Sequence, residues 1–280
     1  MILLGRRIQA FHGHKFLADP PWEKRLASRG IAPDQDWTQV EGDELVSQSG
    51  TATRCYRMVL PDGETVYFKR YVYSFMKWLE FWLRPGKCAV ETWAYGCLHE
   101  LGIPSLDVVA FAERRILGML VATCIVTRAV PDTQELGRFA IDTWYHLPEP
   151  ERRHIYKQLA SQLVVQVRKA HQGGFYHHDL KWRNILVRKE DDGYSLVWID
   201  APRASRMHFR QRRGVVVDLS GLARIAVSLL SKYDRMRFVR DYLGDERHPG
   251  DAKRLYREVA SHLGRRPPRP LALPPRAAEG

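Results

Sequence analysis

A little past its midpoint the chain reads His177-His178-Asp179-Leu180-Lys181-Trp182-Arg183-Asn184-Ile185-Leu186-Val187, and Val197-Trp198-Ile199-Asp200 follows shortly afterwards. Polar and charged positions come first and lead into an apolar run, and a second aspartate closes the next apolar run. Two such runs with Asp191-Asp192-Gly193 between them predict a β-hairpin. This hairpin would bring Asp200 back beside Asn184.

The residue types in this stretch suit phosphoryl transfer from ATP, which requires positioning and charge neutralisation from the protein. An aspartate followed by a lysine after two positions and an asparagine after five is typical of a kinase catalytic loop. We therefore predict that Asp179 accepts the proton of the acceptor hydroxyl and that Lys181 neutralises charge on the transferring phosphoryl group. Asn184 and Asp200 would hold Mg²⁺, and His177 would support the loop. The alternative is a polar turn ahead of an ordinary hairpin.

Composition and charge limit the class of protein. The chain has 280 residues, of which 45% are hydrophobic, enough for one large core or two modest lobes. A net charge of +12 indicates an acidic partner, such as a nucleotide, a nucleic acid, an anionic lipid or a phosphorylated sugar. No nucleic acid is expected, because the sequence has no zinc-finger spacing, helix-turn-helix pattern or RNA-binding aromatic signature. Four cysteines without a C-x-x-C pair favour reduced thiols in a cytoplasm.

The first part of the chain predicts a small, β-rich ATP-binding lobe. Alternating runs on either side of Pro61-Asp62-Gly63 indicate a hairpin, and Lys69 ends its second strand, where a kinase places the lysine that reaches the ATP phosphates. A helix from about Cys88 to Leu101 would supply Glu91 as the partner of Lys69, although the helix dipole alone favours a glutamate in a first turn. Gly50 lies in a small-residue segment that would cover the phosphates, and an ordinary strand connection explains this segment nearly as well.

Two more strands should complete this lobe. They are expected at Val108 to Glu113 and Ile116 to Thr127, around a turn at Glu113-Arg114-Arg115. Arg128 follows in the connection between the lobes, whose backbone would bind adenine.

Two other segments belong with the small lobe. Residues 1 to 40 are expected to form an extension that lies on it, with Trp22 and Trp37 as packing anchors. Residues 71 to 87 are aromatic and basic, which fits either a helix packed on the lobe or contact with an anionic membrane surface.

The second part of the chain predicts a mostly helical lobe. Residues 132 to 150 should hold a helix and a polar link, and Glu151 to Gly173 is an amphipathic helix. Asp218 would open a later helix and brace the catalytic loop, and residues 232 to 263 should form two more helices.

A short basic segment lies between Asp200 and the helix of Asp218. It suits an acceptor that already carries negative charge, and a solvated run of charges is the alternative. The predicted acceptor-binding residues are Arg203, Arg206, Arg210 and Arg213.

Taken together, these motifs resemble the bacterial lipopolysaccharide core kinases, namely the inner-core heptose kinase family and the 3-deoxy-manno-octulosonic acid kinase, within the protein-kinase-like superfamily. The residues that carry the resemblance are Phe68-Lys69, Ala89-Val90-Glu91-Thr92-Trp93, Leu101-Gly102-Ile103-Pro104-Ser105, Ile125-Val126-Thr127-Arg128, residues 171 to 184, Trp198-Ile199-Asp200-Ala201-Pro202-Arg203 and Asp218-Leu219-Ser220-Gly221-Leu222. The Asp-Leu-Lys-x-x-Asn loop is closer to the general kinase pattern than to the heptose kinases.

The resemblance implies an α+β fold with a small, mostly antiparallel β lobe carrying one main helix, and a larger, mostly helical lobe. We expect these in residues 1–128 and 129–264, with a disordered, Pro/Arg-rich tail in 265–280. The resemblance also implies ATP and Mg²⁺ as cofactors. The implied acceptor is a sugar hydroxyl, heptose before octulosonic acid, on the lipid-linked core oligosaccharide.

The resemblance places such a protein in the cytoplasm, bound peripherally at the cytoplasmic face of the inner membrane. Two alternatives stay open at this point. One is a kinase with another small-molecule or protein acceptor, and the other is a nucleotide-binding regulatory or envelope-stress protein without turnover.

Overall fold

Two alternating strands joined at Pro61-Asp62-Gly63 lie within an antiparallel sheet in the computed structural model of this chain. The structure describes residues 1–50, 52–207, 209, 211–244, 248, 250–265 and 267. These residues divide into two compact units. The first contains Met1–Cys97 and Leu106–Val130, and the second contains Leu98–Ser105 and the described residues from Pro131 onward.

The first unit is built on a six-stranded antiparallel sheet of described residues, in the order β1-β5-β6-β4-β3-β2. The strands are β1 (Gly13–Ala18), β2 (Glu44–Ser49), β3 (Thr53–Val59), β4 (Thr65–Val72), β5 (Val108–Ile116) and β6 (Met119–Arg128). Alternation along β4 buries Val66 and Phe68 on one face, so that Lys69 projects from the other.

The N-terminal segment covers one face of this sheet. Trp22 and Trp37 are buried in a cluster with Met58 and Phe68, which confirms them as packing anchors. The helices of the unit are α1 (Glu23–Ala27), α2 (Phe75–Glu80) and α3 (Lys87–Glu100), the last of which ends in the second unit.

The turn between β5 and β6 lies at Leu117 and Gly118, so the prediction of a turn at Glu113-Arg114-Arg115 was wrong. Glu113 and Arg115 lie on β5, are fully buried, and form an ion pair with Arg115 Nε 2.7 Å from Glu113 Oε1. A run of charged residues normally indicates exposure, because buried charges are rare unless they are paired. Glu113 and Arg115 are such a pair, and so they are buried within the strand.

The second unit is mostly helical. Its helices are α4 (Leu136–Arg138), α5 (Glu149–Gln172), α6 (Gln211–Leu229), α7 (Lys232–Leu243) and α8 (Asp251–Gly264). Its strands are β7 (Thr133–Glu135), β8 (Phe175–Tyr176), β9 (Ile185–Glu190), β10 (Gly193–Trp198) and β11 (Ser205–Arg206). Within the described chain they form a β10-β9-β7 sheet and a β11-β8 pair.

The predicted helices of this region are largely present. The apolar stripe of α5 is buried as its spacing indicates, and α7 and α8 confirm the two helices expected in residues 232 to 263. Residues 132 to 150 differ from the prediction, because they begin with β7 and continue as short helical turns. No helix in the described residues is both long and apolar enough to cross a membrane.

Candidate active site

The loop between β8 and β9 is anchored by its apolar residues. The Leu180 side chain is fully buried, and the Trp182 indole donates from Nε1 to the Leu222 carbonyl oxygen of α6 at 2.9 Å. A short 3₁₀ turn, Trp182–Asn184, then leads into β9. Because alternate residues are fixed in the core, the side chains of Asp179 and Lys181 remain partly exposed, by 18% and 35%.

The loop brings three of the predicted residues together. Lys181 Nζ forms an ion pair with Asp179 Oδ1. Asn184 Nδ2 donates to the Asp179 carbonyl oxygen at 2.8 Å and lies 3.4 Å from its Oδ2. A carboxylate with a cation and an amide beside it is suited to bind and orient a hydroxyl group.

Asp200 reaches the same place through the hairpin. β9 and β10 pair from Ile185 with Trp198, and Ile199 then donates its N–H to the Asn184 carbonyl oxygen at 2.9 Å. Asp200 itself has a left-handed backbone with φ of +57°. The hairpin predicted from the sequence therefore exists and ends beside Asn184.

The donor set of these two residues fits Mg²⁺. The Asn184 amide nitrogen is engaged with Asp179, which leaves the amide oxygen available to a metal ion, and Asp200 carries a carboxylate. Oxygen donors of this kind suit Mg²⁺, which commonly takes one or two protein ligands and completes its shell with water and phosphate oxygens. The described residues contain no group of three or more His, Cys, Asp or Glu that could hold a metal alone.

Asp218 was predicted to open its helix, but it lies well inside α6, which begins at Gln211. From this position it braces the loop. Its carboxylate is 1% exposed and accepts the backbone N–H groups of His177 at 2.9 Å and His178 at 2.7 Å. These bonds support the left-handed backbone of His178, whose φ is +60°. The His177 ring lies with Nε2 3.1 Å from the Ile199 carbonyl oxygen and so connects the loop to the residue before Asp200.

His171 is a supporting residue of this loop whose role sequence reasoning missed. Its Nε2 lies 3.4 Å from Asp218 Oδ2, and its Nδ1 lies 2.9 Å from the Tyr242 hydroxyl. Burial raises the pKa of Tyr242. In the His171 tautomer that carries its hydrogen on Nε2, Nδ1 accepts from the Tyr242 hydroxyl. The Nε2–H then points to Asp218. These contacts join residues far apart in sequence, and no local spacing marks them.

Lys69 and Glu91 meet in the first unit. Lys69 Nζ lies 2.9 Å from Glu91 Oε2, and the Glu91 side chain is 4% exposed. The Tyr95 hydroxyl donates to the other oxygen, Oε1, at 2.8 Å. Tyr95 was missed by sequence reasoning, although its position four residues after Glu91 on α3 is a signal that would have found it.

Gly50 and Arg128 have less distinctive surroundings. Gly50 follows β2 with φ of +59°, in open space. Arg128 ends β6, where its side chain forms an ion pair with Glu64 at 2.8 Å and its N–H donates to the Asp107 carbonyl oxygen. The Ala129 N–H donates to the Thr65 carbonyl oxygen, so both backbone donors are already engaged in the first unit.

Three arginines of the predicted acceptor segment are exposed. Arg206 Nε donates to the Gly173 carbonyl oxygen at 3.1 Å, and its Nη1 lies 3.6 Å from Glu100. Arg203 follows Asp200 closely, and Arg213 lies in the first turn of α6. Arg210 lies outside the described residues.

Comparisons with known proteins point to one family. The family model described as "Lipopolysaccharide kinase (Kdo/WaaP) family" matches residues 36–242. The solved structure "WaaP in complex with acyl carrier protein" is similar with a TM-score of 0.67 and 21% identity, covering 90% of this chain and 98% of that chain. The likeness confirms the predicted α+β, protein-kinase-like fold.

A second structure, "Crystal structure of Rad53 1-466 in complex with AMP-PNP", has a TM-score of 0.41 and 16% identity, covering 79% of this chain and 51% of that chain. No curated protein sequence matches the chain.

Proposed function

Because the chain belongs to the lipopolysaccharide kinase (Kdo/WaaP) family, and so is a phosphotransferase with an alcohol group as acceptor, we propose that it transfers the γ-phosphate of ATP to a heptose hydroxyl of the lipopolysaccharide inner core. The observation that carries this proposal is the meeting of Asp179, Lys181 and Asn184 in one braced loop. A kinase requires that grouping of base, cation and metal-binding amide.

The proposed residue roles are supported by the contacts of Asp179, Lys181 and Asn184 and by the Lys69–Glu91 pair. Asp179 would accept the hydroxyl proton as the acceptor oxygen attacks the γ-phosphorus, and Lys181 would stabilise negative charge on the transferring group. Asn184 and Asp200 would hold Mg²⁺, which when bound neutralises charge on the phosphate oxygens. Lys69, oriented by Glu91, would bind the ATP phosphates.

The choice of heptose rests on the family resemblance, and charge supports an acidic acceptor. Lipopolysaccharide core sugars carry acidic groups, and Arg203, Arg206 and Arg213 present exposed guanidinium groups that suit such groups. We assign the protein to the cytoplasm, at the cytoplasmic face of the inner membrane, where it would meet its lipid-linked acceptor.

The test combines purified enzyme with cells. Asp179→Ala should lower kcat by about 10²–10⁴-fold, the usual contribution of a positioned base, while Asp191→Ala, an exposed turn carboxylate, should leave it unchanged. Mass spectrometry of core oligosaccharide should show one phosphate missing from the same heptose in cells lacking the gene and in cells carrying Asp179→Ala. An unchanged core in both strains, with full activity of the variant, would reject the proposal.

A further inference from the structure

Exposed apolar side chains gather in one part of the first unit. They come from three segments: Phe11 near the N-terminus, the stretch from α2 to Leu83, and the β5–β6 turn. We call this surface the apolar platform, and its exposed members are Phe11, Phe75, Met76, Leu79, Trp82, Leu83, Ile116 and Leu117. Helix α2 has no buried residue at all, which is unusual for a helix of a folded unit.

Hydrogen bonds make the three segments neighbours. The Gly118 N–H donates to the Phe11 carbonyl oxygen at 2.6 Å, and the Leu83 N–H donates to the Gly118 carbonyl oxygen at 3.2 Å. The Trp82 indole donates to the Leu117 carbonyl oxygen at 3.2 Å. These bonds place Phe11, Trp82, Leu83 and Leu117 beside one another, and α2 leads directly into Trp82.

The buried Glu113–Arg115 pair holds this surface in place. The Arg115 guanidinium donates to the carbonyl oxygens of Phe81, Arg84 and Gly118, at 3.1, 2.7 and 2.7 Å. Glu113 Oε1 accepts the N–H groups of Gln9 and Ala10 at 3.0 and 3.3 Å. One fully buried ion pair thus ties together all three segments.

A buried ion pair is costly to desolvate, and a large exposed apolar surface often marks an interaction site. We therefore ask which partner this surface would bind. The charges beside the platform indicate its partner. Lys77, Arg84 and Lys87 are exposed, and Glu80 is the one acidic residue between Phe75 and Lys87. Glu80 forms an ion pair with Lys77 at 2.5 Å, and the stretch keeps a net positive charge.

We propose that the apolar platform docks on the surface of a bilayer that contains anionic lipids. Trp, Phe and Leu side chains enter the interfacial layer, and the cations contact the headgroups. A second copy of this chain fits less well, because it would bring the same cations together. The proposal deepens the proposed function by naming the surface that contacts the membrane, and vesicle binding tests it without any phosphate transfer.

The experiment is co-sedimentation of the purified 280-residue chain with phosphatidylcholine vesicles, with and without phosphatidylglycerol. The wild type should bind the anionic vesicles more tightly. The triple variant Phe75→Ser, Met76→Ser, Leu79→Ser should lose roughly tenfold or more in partitioning. A control with three other exposed hydrophobic residues elsewhere, Leu45→Ser, Val165→Ser, Tyr233→Ser, should bind like the wild type.

Charge is tested separately. Lys77→Glu, Arg84→Glu, Lys87→Glu should reduce binding to anionic vesicles by about fivefold for each cation lost, with little effect on phosphatidylcholine vesicles. Wild-type protein that binds neither vesicle, or equal losses in the platform and control variants, would overturn the proposal. A different result is a wild type that binds no vesicle but self-associates, together with a serine variant that has lost this self-association. This result would assign the platform to a second copy of the chain.

Transfer to a delipidated core oligosaccharide should be unchanged in the serine variant. If neither the wild type nor the serine variant transfers phosphate but vesicle binding behaves as expected, the proposed function is rejected and the docking surface is supported.

Discussion

Glu91 is held from two sides, by Lys69 at one carboxylate oxygen and by Tyr95 at the other. The Tyr95 hydroxyl donates to Glu91 Oε1, so we expect its effect on ATP binding to pass through Glu91. Tyr95→Phe removes one hydrogen bond to a buried carboxylate, worth about 1.5–3 kcal/mol, part of which should appear as looser positioning of Lys69. We expect KM for ATP to rise about threefold to tenfold with a smaller change in kcat.

Steady-state kinetics over a range of ATP concentrations measures this effect, with the exposed Tyr233→Phe as control. An unchanged KM in Tyr95→Phe would show that Lys69 alone fixes Glu91. The local spacing of Asp179, Lys181 and Asn184 was sufficient to predict that they meet in one loop, and their catalytic roles stay predictions. The sequence did not predict the contact between His171 and Asp218, because it joins α5 to α6 and leaves no periodic pattern in either helix.

Among the elements, helix α6 lies close against β8 and the loop that follows it because Gly214 faces β8 and Gly221 faces the loop. A Cβ at Gly221 would lie 2.4 Å from the Leu180 carbonyl oxygen, and one at Gly214 would lie 2.3 Å from the Tyr176 ring. In an open helix Gly→Ala stabilises by up to about 1 kcal/mol. At Gly221 we expect Gly→Ala to be destabilising instead, because the added Cβ would clash with the Leu180 backbone, which cannot move aside as a flexible side chain can.

We therefore expect Gly221→Ala to lower the free energy of unfolding by about 1–3 kcal/mol and to reduce kcat through displacement of Asp179. Urea unfolding and kinetics measure the two effects. Gly264→Ala in α8, with no atom within 4 Å of the added Cβ, is the matched control and should be neutral or slightly stabilising. A Gly221→Ala protein as stable and active as the wild type would contradict the close approach.

Elements differ in how far the sequence predicts them. The alternation of β4 and the apolar stripe of α5 were sufficient to predict these two elements, because burial on one face leaves a periodic pattern. Strand β1 was not predicted, since its partner β5 lies far along the chain and its own residues do not alternate clearly. The β5–β6 turn was misplaced because Glu113 and Arg115 neutralise each other inside the unit, an arrangement that no single-sequence pattern shows.

For the whole molecule, the net charge of +12 indicated an acidic partner without locating its site. The three described arginines of the acceptor segment allow the local and global effects of charge to be separated. Arg203→Glu, Arg206→Glu, Arg213→Glu lowers the net charge by three times two, to +6. So does Arg153→Glu, Lys157→Glu, Lys253→Glu, at exposed positions elsewhere in the second unit.

If the acceptor segment binds the phosphorylated core, only the first variant should raise KM for the acceptor, by about tenfold at low ionic strength, while KM for ATP changes little. The difference between the two variants should shrink as salt is added, because exposed charges are screened beyond about 10 Å at 0.1 M. Steady-state kinetics with delipidated core at low and high salt measures both quantities. Equal effects of the two variants would mean that the protein attracts its acceptor through net charge alone, and that these arginines do not form the acceptor site.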